Sequence, residues 1–492
     1  MRDEESRRRE PDDPSVEGEY AERAERSRFD EEEEDARPRR RREGDGRSGG
    51  RRRSRVRPVP DDVAEADAIE DGHERNIDPR EAGAEIYTDH GLDVSGIDSD
   101  AIKVLRRLQR YGFQAYLVGG CVRDLLVGQH PKDFDIATSA TPKQIKRLFR
   151  NSRVIGRRFR LVHIHFGRHI LEISTFRSNV VPEGDDDDPL IRRDNVFGTA
   201  DQDALRRDFT VNALFYDIET NEVIDFVGGM KDIRRHRIEI IGDPVTRLRE
   251  DPVRMMRAAK FAGRLRFEVA EDLLDAIFDC REDLQKCAAP RVFEELQRLL
   301  DRGGAFGAID VLWETELLDV LLPELSAWLV ENEELVDDTG LTGEQRFWNS
   351  LKTLDRYVLE GCDVSSVTAL SVLFCHLFGK VLHHSGPAPD GEDPSEYDIG
   401  VVAEDLLSSL ALRLQIPRRD AYRMRQLLVA LRRFLSRRAT RKKPSPNQLV
   451  RKEYFPESLR LFQIYSNACG RWQGEVAKWE KRYEQAMGRP FR

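Results

Sequence analysis

The sequence predicts an α+β chain: a head of mixed sheet and helices, followed by an all-helical remainder. Three observations predict it. Short β-like runs alternate with helical spacing and glycine turns between residues 97 and 245. From Asp251 onward apolar residues recur at helical intervals almost without a break. Residues 1–96 are so charged that they hold little from which to build a core.

Residues 1–60 contain 18 arginines and 18 acids, no net charge and almost no apolar residue. Such a segment buries too little surface to offset the entropy of ordering and is expected to be disordered. Its signs are segregated, acidic from Asp30 to Asp35 and arginine-rich from Arg37 to Arg57. That pattern suits either a basic arm for RNA or a solubilising tail. Residues 61–100 are acidic, at net −12. Order is expected to begin near Ile97, with Asp98 or Ser99 capping a helix through Ala101, Val104, Leu105, Leu108 and Tyr111 that Gly112 ends.

Strand-like runs follow at Ala115–Val118, Phe134–Ala137, Leu161–Phe166, Ile170–Phe176, Val211–Tyr216 and Val223–Phe226, the last leading into the turn Val227-Gly228-Gly229. Thr141-Pro142-Lys143-Gln144 reads as a capping box with proline at the first helical position. In the helical part, Gly340–Thr342 and Gly386–Pro394 read as loops.

The 492 residues carry a formal charge of −10, which alone argues against nucleic acid as a partner. The map of that charge reverses the inference, because residues 101–492 stand at +2. Within them, residues 411–452 hold 14 basic residues against one acid, Asp420. This cluster includes Arg418, Arg419, Arg423, Arg425, Arg432, Arg433, Arg437, Arg438, Arg441, Lys442 and Lys443, and it reads as a phosphate-backbone footprint. The N-terminus has no apolar signal segment, and no apolar run reaches the ~18 residues of a membrane helix, so a soluble, cytoplasmic protein is expected. Six scattered cysteines without a C-x-x-C pair read as free thiols in a reducing compartment.

The chemistry gathers in a few motifs. In Leu117-Val118-Gly119-Gly120-Cys121-Val122-Arg123-Asp124, paired glycines between strand and helix let backbone amides approach an anion. Lys132-Asp133-Phe134-Asp135-Ile136 puts two carboxylates on one strand face, about 6.6 Å apart, as a pair of divalent cations requires. Glu172, between Leu171 and Ile173, offers a third carboxylate from another strand; a solvent-facing glutamate is the bland alternative. Arg206-Arg207-Asp208 suits phosphate and ribose recognition. Finally, Asp251 caps a helix with Pro252 at its first position, and Arg254, Arg257 and Lys260 recur along it every three residues.

Together these segments resemble the class II tRNA nucleotidyltransferase and bacterial poly(A) polymerase family of the DNA polymerase β nucleotidyltransferase superfamily, from about Tyr111 to Leu300. The resemblance implies a polymerase-β-like head with an all-α neck, body and tail. It implies a division into a charged arm and linker (1–96), catalytic head (97–245), neck (246–310), body (311–400) and basic RNA-binding tail (401–492). It implies that Asp133 and Asp135 bind two Mg²⁺ ions, assisted by Glu172 or Asp208. Gly119, Gly120, Arg123, Arg207 and Asn212 would then contact ATP, Asp251 and Arg254 would read the base edge, and Arg257 and Lys260 would meet the triphosphate. Family members usually carry arginine at the last position; Lys260 keeps the charge and loses the bidentate fork.

Within the family, Val154–Ile164 is similar to the signature of the polyadenylating branch and would bring Arg157, Arg158 and Arg160 to RNA. Ala289–Leu296 is similar to the same branch. The expected activity is therefore template-independent addition of AMP from ATP to RNA 3′ ends, of messenger or small RNA. A tRNA CCA-adding or A-adding enzyme is the alternative, and a non-catalytic RNA-binding protein is a third reading. A histidine phosphohydrolase is not supported, since His383-His384 lacks a paired H-D motif.

Overall fold

The computed structural model describes residues 76–156, 160–178, 196–334, 336, 338–383, 397–435 and 445–491. In chain order the head holds β1 (Glu85–Tyr87), α1 (Ser99–Arg110), β2 (Ala115–Val118), α2 (Gly120–Leu126), β3 (Asp135–Thr138), α3 (Pro142–Leu148), β4 (Ser152–Ile155), β5 (Leu161–Phe166), β6 (His169–Thr175), α4 (Ala200–Leu205), β7 (Leu214–Asp217), β8 (Glu222–Asp225) and α5 (Gly229–Arg235). Then come β9 (Arg237–Ile238), α6 (Pro244–Glu250), α7 (Val253–Leu265), β10 (Glu268–Val269), α8 (Glu271–Cys280), α9 (Ala289–Leu300) and α10 (Ala305–Glu314). The remaining helices are α11 (Leu317–Leu321), α12 (Pro323–Glu331), α13 (Gly343–Leu359), α14 (Ser366–Cys375), α15 (Gly379–His383), α16 (Ile399–Leu414), α17 (Arg418–Leu435), α18 (Pro446–Val450), α19 (Phe455–Cys469) and α20 (Gln473–Met487).

Eight strands form one mixed sheet in the order β1-β8-β7-β2-β3-β6-β5-β4. One face, with Leu117, Ile136, Ile173, Val162 and Ile164, packs against the large core beneath α1 and α3. The other face carries a smaller core of Tyr116, Val118, Phe176 and Phe215 with Ala200 and Ala204 of α4. Alternation along each strand therefore decides which side chains reach the chemistry.

Several expectations are corrected. Order does not begin at Ile97: β1 pairs antiparallel with β8, and the Asn76 amide donates to Gly112 O (2.7 Å), so residues 76–96 belong to the head. Few apolar residues signal this, although Ala84 and Ile86 pack against the smaller core and Tyr87 and Leu92 against the larger one. The run Val211–Tyr216 is not one strand; Thr210–Asn212 forms a 3₁₀ turn before β7. Thr210 donates to the buried Asp232 carboxylate (2.6 Å), a long-range contact that overrides β propensity. Gly228-Gly229 is less a turn than a helix start, since the Asp225 carboxylate accepts from the amides of Val227, Gly228, Gly229 and Met230.

Asp251 is not the N-cap of α7. It closes α6, and Pro252 takes the cap position. From there the regular elements among the described residues are helical apart from β10, which pairs parallel with β9, and an isolated bridge between Val336 and Thr342. The stretch Ser366–His383, long and apolar enough to cross a membrane, is interrupted by a 3₁₀ turn and is mostly buried in the core. The Gly386–Pro394 loop lies outside the described residues.

Helix α7 crosses α10 at a glycine contact. A Cβ on Gly263 would collide with Gly304 O and the Ala308 amide, so the two backbones touch. That contact fixes the helix that carries Arg254 and Arg257.

Candidate active site

The site is built on the ends of β2, β3 and β6. Gly119 follows β2 with φ 73°, a left-handed conformation that favours glycine, and a Cβ there would meet Arg207 Nη1 at 3.0 Å. Asp135 opens β3, and the parallel register sets it directly beside Glu172 of β6. Phe134 and Ile136 are buried while Asp133 and Asp135 are exposed, as strand alternation requires. Solvent reaches Asp135 from the cleft, but protein crowds it on the remaining sides. Burial, then Glu172, then Asp133 push its carboxyl up to about 6, with Arg207 opposing. Three carboxylates crowded until one resists ionisation fit a site for divalent cations, and Asp133, Asp135 and Glu172 are the residues that would hold them. His163 of β5 lies opposite Glu172, Nε2 to Oε1 3.3 Å.

A cavity of about 410 Å³ is lined by Gly119, Gly120, Arg123, Asp135, Arg207, Asp208, Asn212, Asp251, Arg254, Arg257 and Phe261. Of the twelve residues expected at the metals and the nucleotide besides Lys260, this one space unites ten; Asp133 and Glu172 flank it beside Asp135. Arg123 is buried, with Nε and Nη2 on Asp124 Oδ1 (3.0 and 2.7 Å), Nη1 on Asn212 Oδ1, and its plane over Phe261 (4.9 Å). Asp124 Oδ2 also accepts from Arg264 Nη2 of α7 (2.6 Å). Arg207 is braced by Asp203 Oδ2 (2.9 Å) and Asn212 O (3.1 Å).

Asp208 behaves unlike Asp135. Its side chain is mostly buried, but Arg257 Nη2 at 2.5 Å, the Asn212 side chain and the Phe209 amide outweigh desolvation and hold its carboxyl below the usual range. Its charge is already spent on Arg257, which leaves Glu172 as the third carboxylate beside Asp135. Arg291 of α9 engages Asp251 Oδ2 (2.6 Å), and Arg254 Nη1 donates to Arg247 O (2.6 Å) and Glu250 Oε2 (3.2 Å).

Lys260 departs from expectation. Its ammonium is buried against Glu295 Oε2 (2.8 Å) and over Phe261, away from the cavity. Each three-residue step along a helix turns the side chain back by about 60°, so Lys260 lies about 120° round from Arg254. Burial lowers its pKa and Glu295 opposes this.

A second cavity of about 300 Å³ shares Asp135 and Arg207 with the first and adds Glu172, Ser174, Arg177, Asp203 and Arg206. Sequence reasoning missed Asp203, Arg177 and Arg247. Asp203 sits four residues before Arg207, a helical pair spacing that was there to be read. Arg247, which donates to Arg206 O and Arg207 O (3.0 and 2.7 Å), gave no local signal. Apart from this site, Asp98, Asp100 and His169 come together, but Asp98 already caps α1 and Asp100 pairs with Lys103.

The basic C-terminal cluster is only partly a surface. Arg418 and Arg419 are exposed, as is Arg160 beside β5. Arg423 pairs with Glu453, Arg425 with Glu404, and the half-buried Arg432 donates to Leu382 O (3.2 Å). Arg432 and Arg433 are half-buried, and burial lowers the pKa of both. Arg157, Arg158, Arg437, Arg438, Arg441, Lys442 and Lys443 lie outside the described residues.

A carboxylate set beside a glycine-braced anion cavity, on a mixed sheet with a helical remainder, is the architecture of a polymerase-β-like nucleotidyltransferase. Residues 115–239 match the family described as "Poly A polymerase head domain", and residues 266–329 match "Probable RNA and SrmB- binding site of polymerase A". Poly(A) polymerase I of Salmonella typhi is 38% identical over 67% of this chain and 71% of its own length. That of Haemophilus influenzae is 33% identical over 81% and 87%. The chain belongs to the poly(A) polymerase I family. Its fold is also that of the Bacillus stearothermophilus CCA-adding enzyme, solved with CTP, at TM-score 0.53 and 24% identity over 79% of this chain and 81% of that one.

Proposed function

We propose that the chain transfers AMP from ATP to RNA 3′ ends without a template. The observation that carries this is the meeting of two cavities at Asp135, one lined for a nucleoside triphosphate and one flanked by Glu172, Arg177 and Arg206. In this reading ATP occupies the first and the RNA end the second. The RNA 3′ oxygen bonds to the α-phosphorus, the bond to the β-phosphate bridge breaks, pyrophosphate leaves, and the hydroxyl proton passes to water.

Asp133, Asp135 and Glu172 would hold two Mg²⁺ ions; when bound, these lower the pKa of the attacking hydroxyl and offset charge on the leaving pyrophosphate. The amides of Gly119 and Gly120, with Arg123 and Arg257, orient the triphosphate. Asp208 fixes Arg257 for that work, and Asp203 fixes Arg207. Arg254, with Asp251 pinned by Arg291, reads the base edge. A polar edge left without its partner by a wrong base is the source of discrimination. Exposed Arg160, Arg418 and Arg419 support backbone contacts with messenger, small or transfer RNA in the cytoplasm.

The test supplies ATP and CTP separately, with an unrelated RNA and with a tRNA lacking its 3′ end. Long ATP-only tails on the unrelated RNA are expected. One to three additions confined to the tRNA, drawing on CTP, would assign the site to CCA addition instead.

A further inference from the structure

The head carries a second cationic surface, separate in sequence from the C-terminal cluster. On α1, Lys103, Arg106, Arg107 and Arg110 are all exposed. On and just after α3, Lys143, Lys146, Arg147 and Arg150 are exposed as well, and Arg153 continues the row onto the edge strand β4. The two helices are neighbours, because the Arg107 guanidinium lies 5.5 Å over the ring of Phe149, the residue that ends α3.

Neither residues 101–114 nor residues 141–156 contain a single acid. Among the described residues only Lys103 of these nine has an ion-pair partner, Asp100 at 2.6 Å. The eight cations of α1 and α3 share one side of the head and repel each other, and a surface serving only solubility would intersperse acids to relieve this. The polar faces of α1 and α3 thus hold a charge pattern that their own packing does not need. Arg153, on the edge strand, faces the other side of the sheet and carries positive charge round its edge toward the chemistry, since the register runs Arg153, His163, Glu172, Asp135 across β4, β5, β6 and β3.

We propose that the α1–α3 face is a track for the RNA phosphate backbone upstream of the 3′ end that is being extended. The inference rests on the adenylating reading above. A 12-residue helix such as α1 is about 18 Å long, room for roughly three phosphates of an extended strand. Binding there is electrostatic and blind to sequence, as an enzyme acting on varied RNA requires.

The test is the full-length variant Arg106→Glu/Arg107→Glu/Lys146→Glu/Arg147→Glu, with Arg418→Glu/Arg419→Glu as comparison. Binding of a 40-nucleotide RNA is measured from 50 to 200 mM salt, and AMP transfer is measured on a trinucleotide primer. The fourfold reversal should weaken RNA binding at least tenfold and reduce the log–log salt slope by about 2 to 3, at about 0.7 per lost single-strand phosphate contact. Trinucleotide turnover and the KM for ATP should hold, and an unchanged thermal transition confirms the fold. Unchanged affinity and slope overturn the track. If wild-type protein transfers no AMP to any primer, the adenylating reading fails instead, whatever the binding result.

Discussion

Asp135 answers to two opposed requirements. The proposed chemistry needs it ionised beside Glu172, and its surroundings favour the neutral form, with a pKa of about 6 against an ordinary 3.8. The sign follows directly. A carboxyl whose folded-state pKa is raised destabilises the metal-free fold once ionised, so this group's contribution improves as pH falls from about 6 toward 4. Asp135→Asn should therefore abolish AMP transfer yet raise the metal-free melting temperature at pH 7. The gain is about 1 kcal/mol once solvent screening at the open cleft is allowed for. An Asn variant that is inactive and less stable would refute the crowding account. Asp124 is the contrasting case: it is buried between Arg123 and Arg264. Asp124→Asn leaves two buried guanidinium groups short of their counter-charge and should cost about 3–5 kcal/mol in denaturant unfolding. At this scale the sequence displayed the carboxylates and arginines themselves, because strand alternation and glycine pairing are local signals. It did not display their partners: Arg291 on Asp251, Arg257 on Asp208 and Glu295 on Lys260 come from other helices or the far side of a turn.

Elements were legible where local chemistry sets their ends. Ala115–Val118 and Leu161–Phe166 match the observed strands, and Thr141 caps α3 with its reciprocal Gln144 bond. Val211–Tyr216 failed because Asp232, twenty-two residues beyond Thr210, sets the turn. The α7–α10 crossing was invisible too, since a glycine within a helical pattern ordinarily marks weakness. Gly263→Ala should lower stability by about 1–3 kcal/mol through overpacking, and it should raise the KM for ATP by displacing Arg254 and Arg257. A variant with wild-type melting and KM would show the crossing to be slack. Farther along, His376 is buried with Nε2 against Ser350 Oγ (2.6 Å), and burial, then Arg346, hold its pKa near 3. Its unfolded value is ordinary, so its contribution to stability is complete above about pH 6.5 and is lost as pH falls toward 3. Between pH 6.5 and 4.5 unfolding free energy should fall by up to about 1.4 kcal/mol per unit from this residue. His376→Gln should flatten that slope in calorimetry, and an unchanged slope would assign it elsewhere.

For the whole molecule, net charge misleads and its distribution informs. The total of −10 conceals an acidic run before the head and, inside the head, two stretches without an acid, residues 101–114 and 141–156. The C-terminal cluster, the more conspicuous in sequence, is partly consumed by Glu404, Glu453 and Glu457. Composition registers how many cations a segment holds and is silent on which ones fold back onto acids. Polyadenylating activity should therefore depend steeply on salt with long RNA and weakly with a trinucleotide. Equal salt dependence would place RNA recognition at the catalytic cleft alone.

On the proposed reading, with the two cavities meeting at one carboxylate, each addition leaves the new terminus where the next ATP must bind. The strand has to slip back by one nucleotide before the cycle repeats. For a homopolymer that slip restores an identical configuration, so a fixed site with no template and no memory of position is sufficient. The end of a tail then has to be dictated from outside the site, by how long the strand stays on the protein.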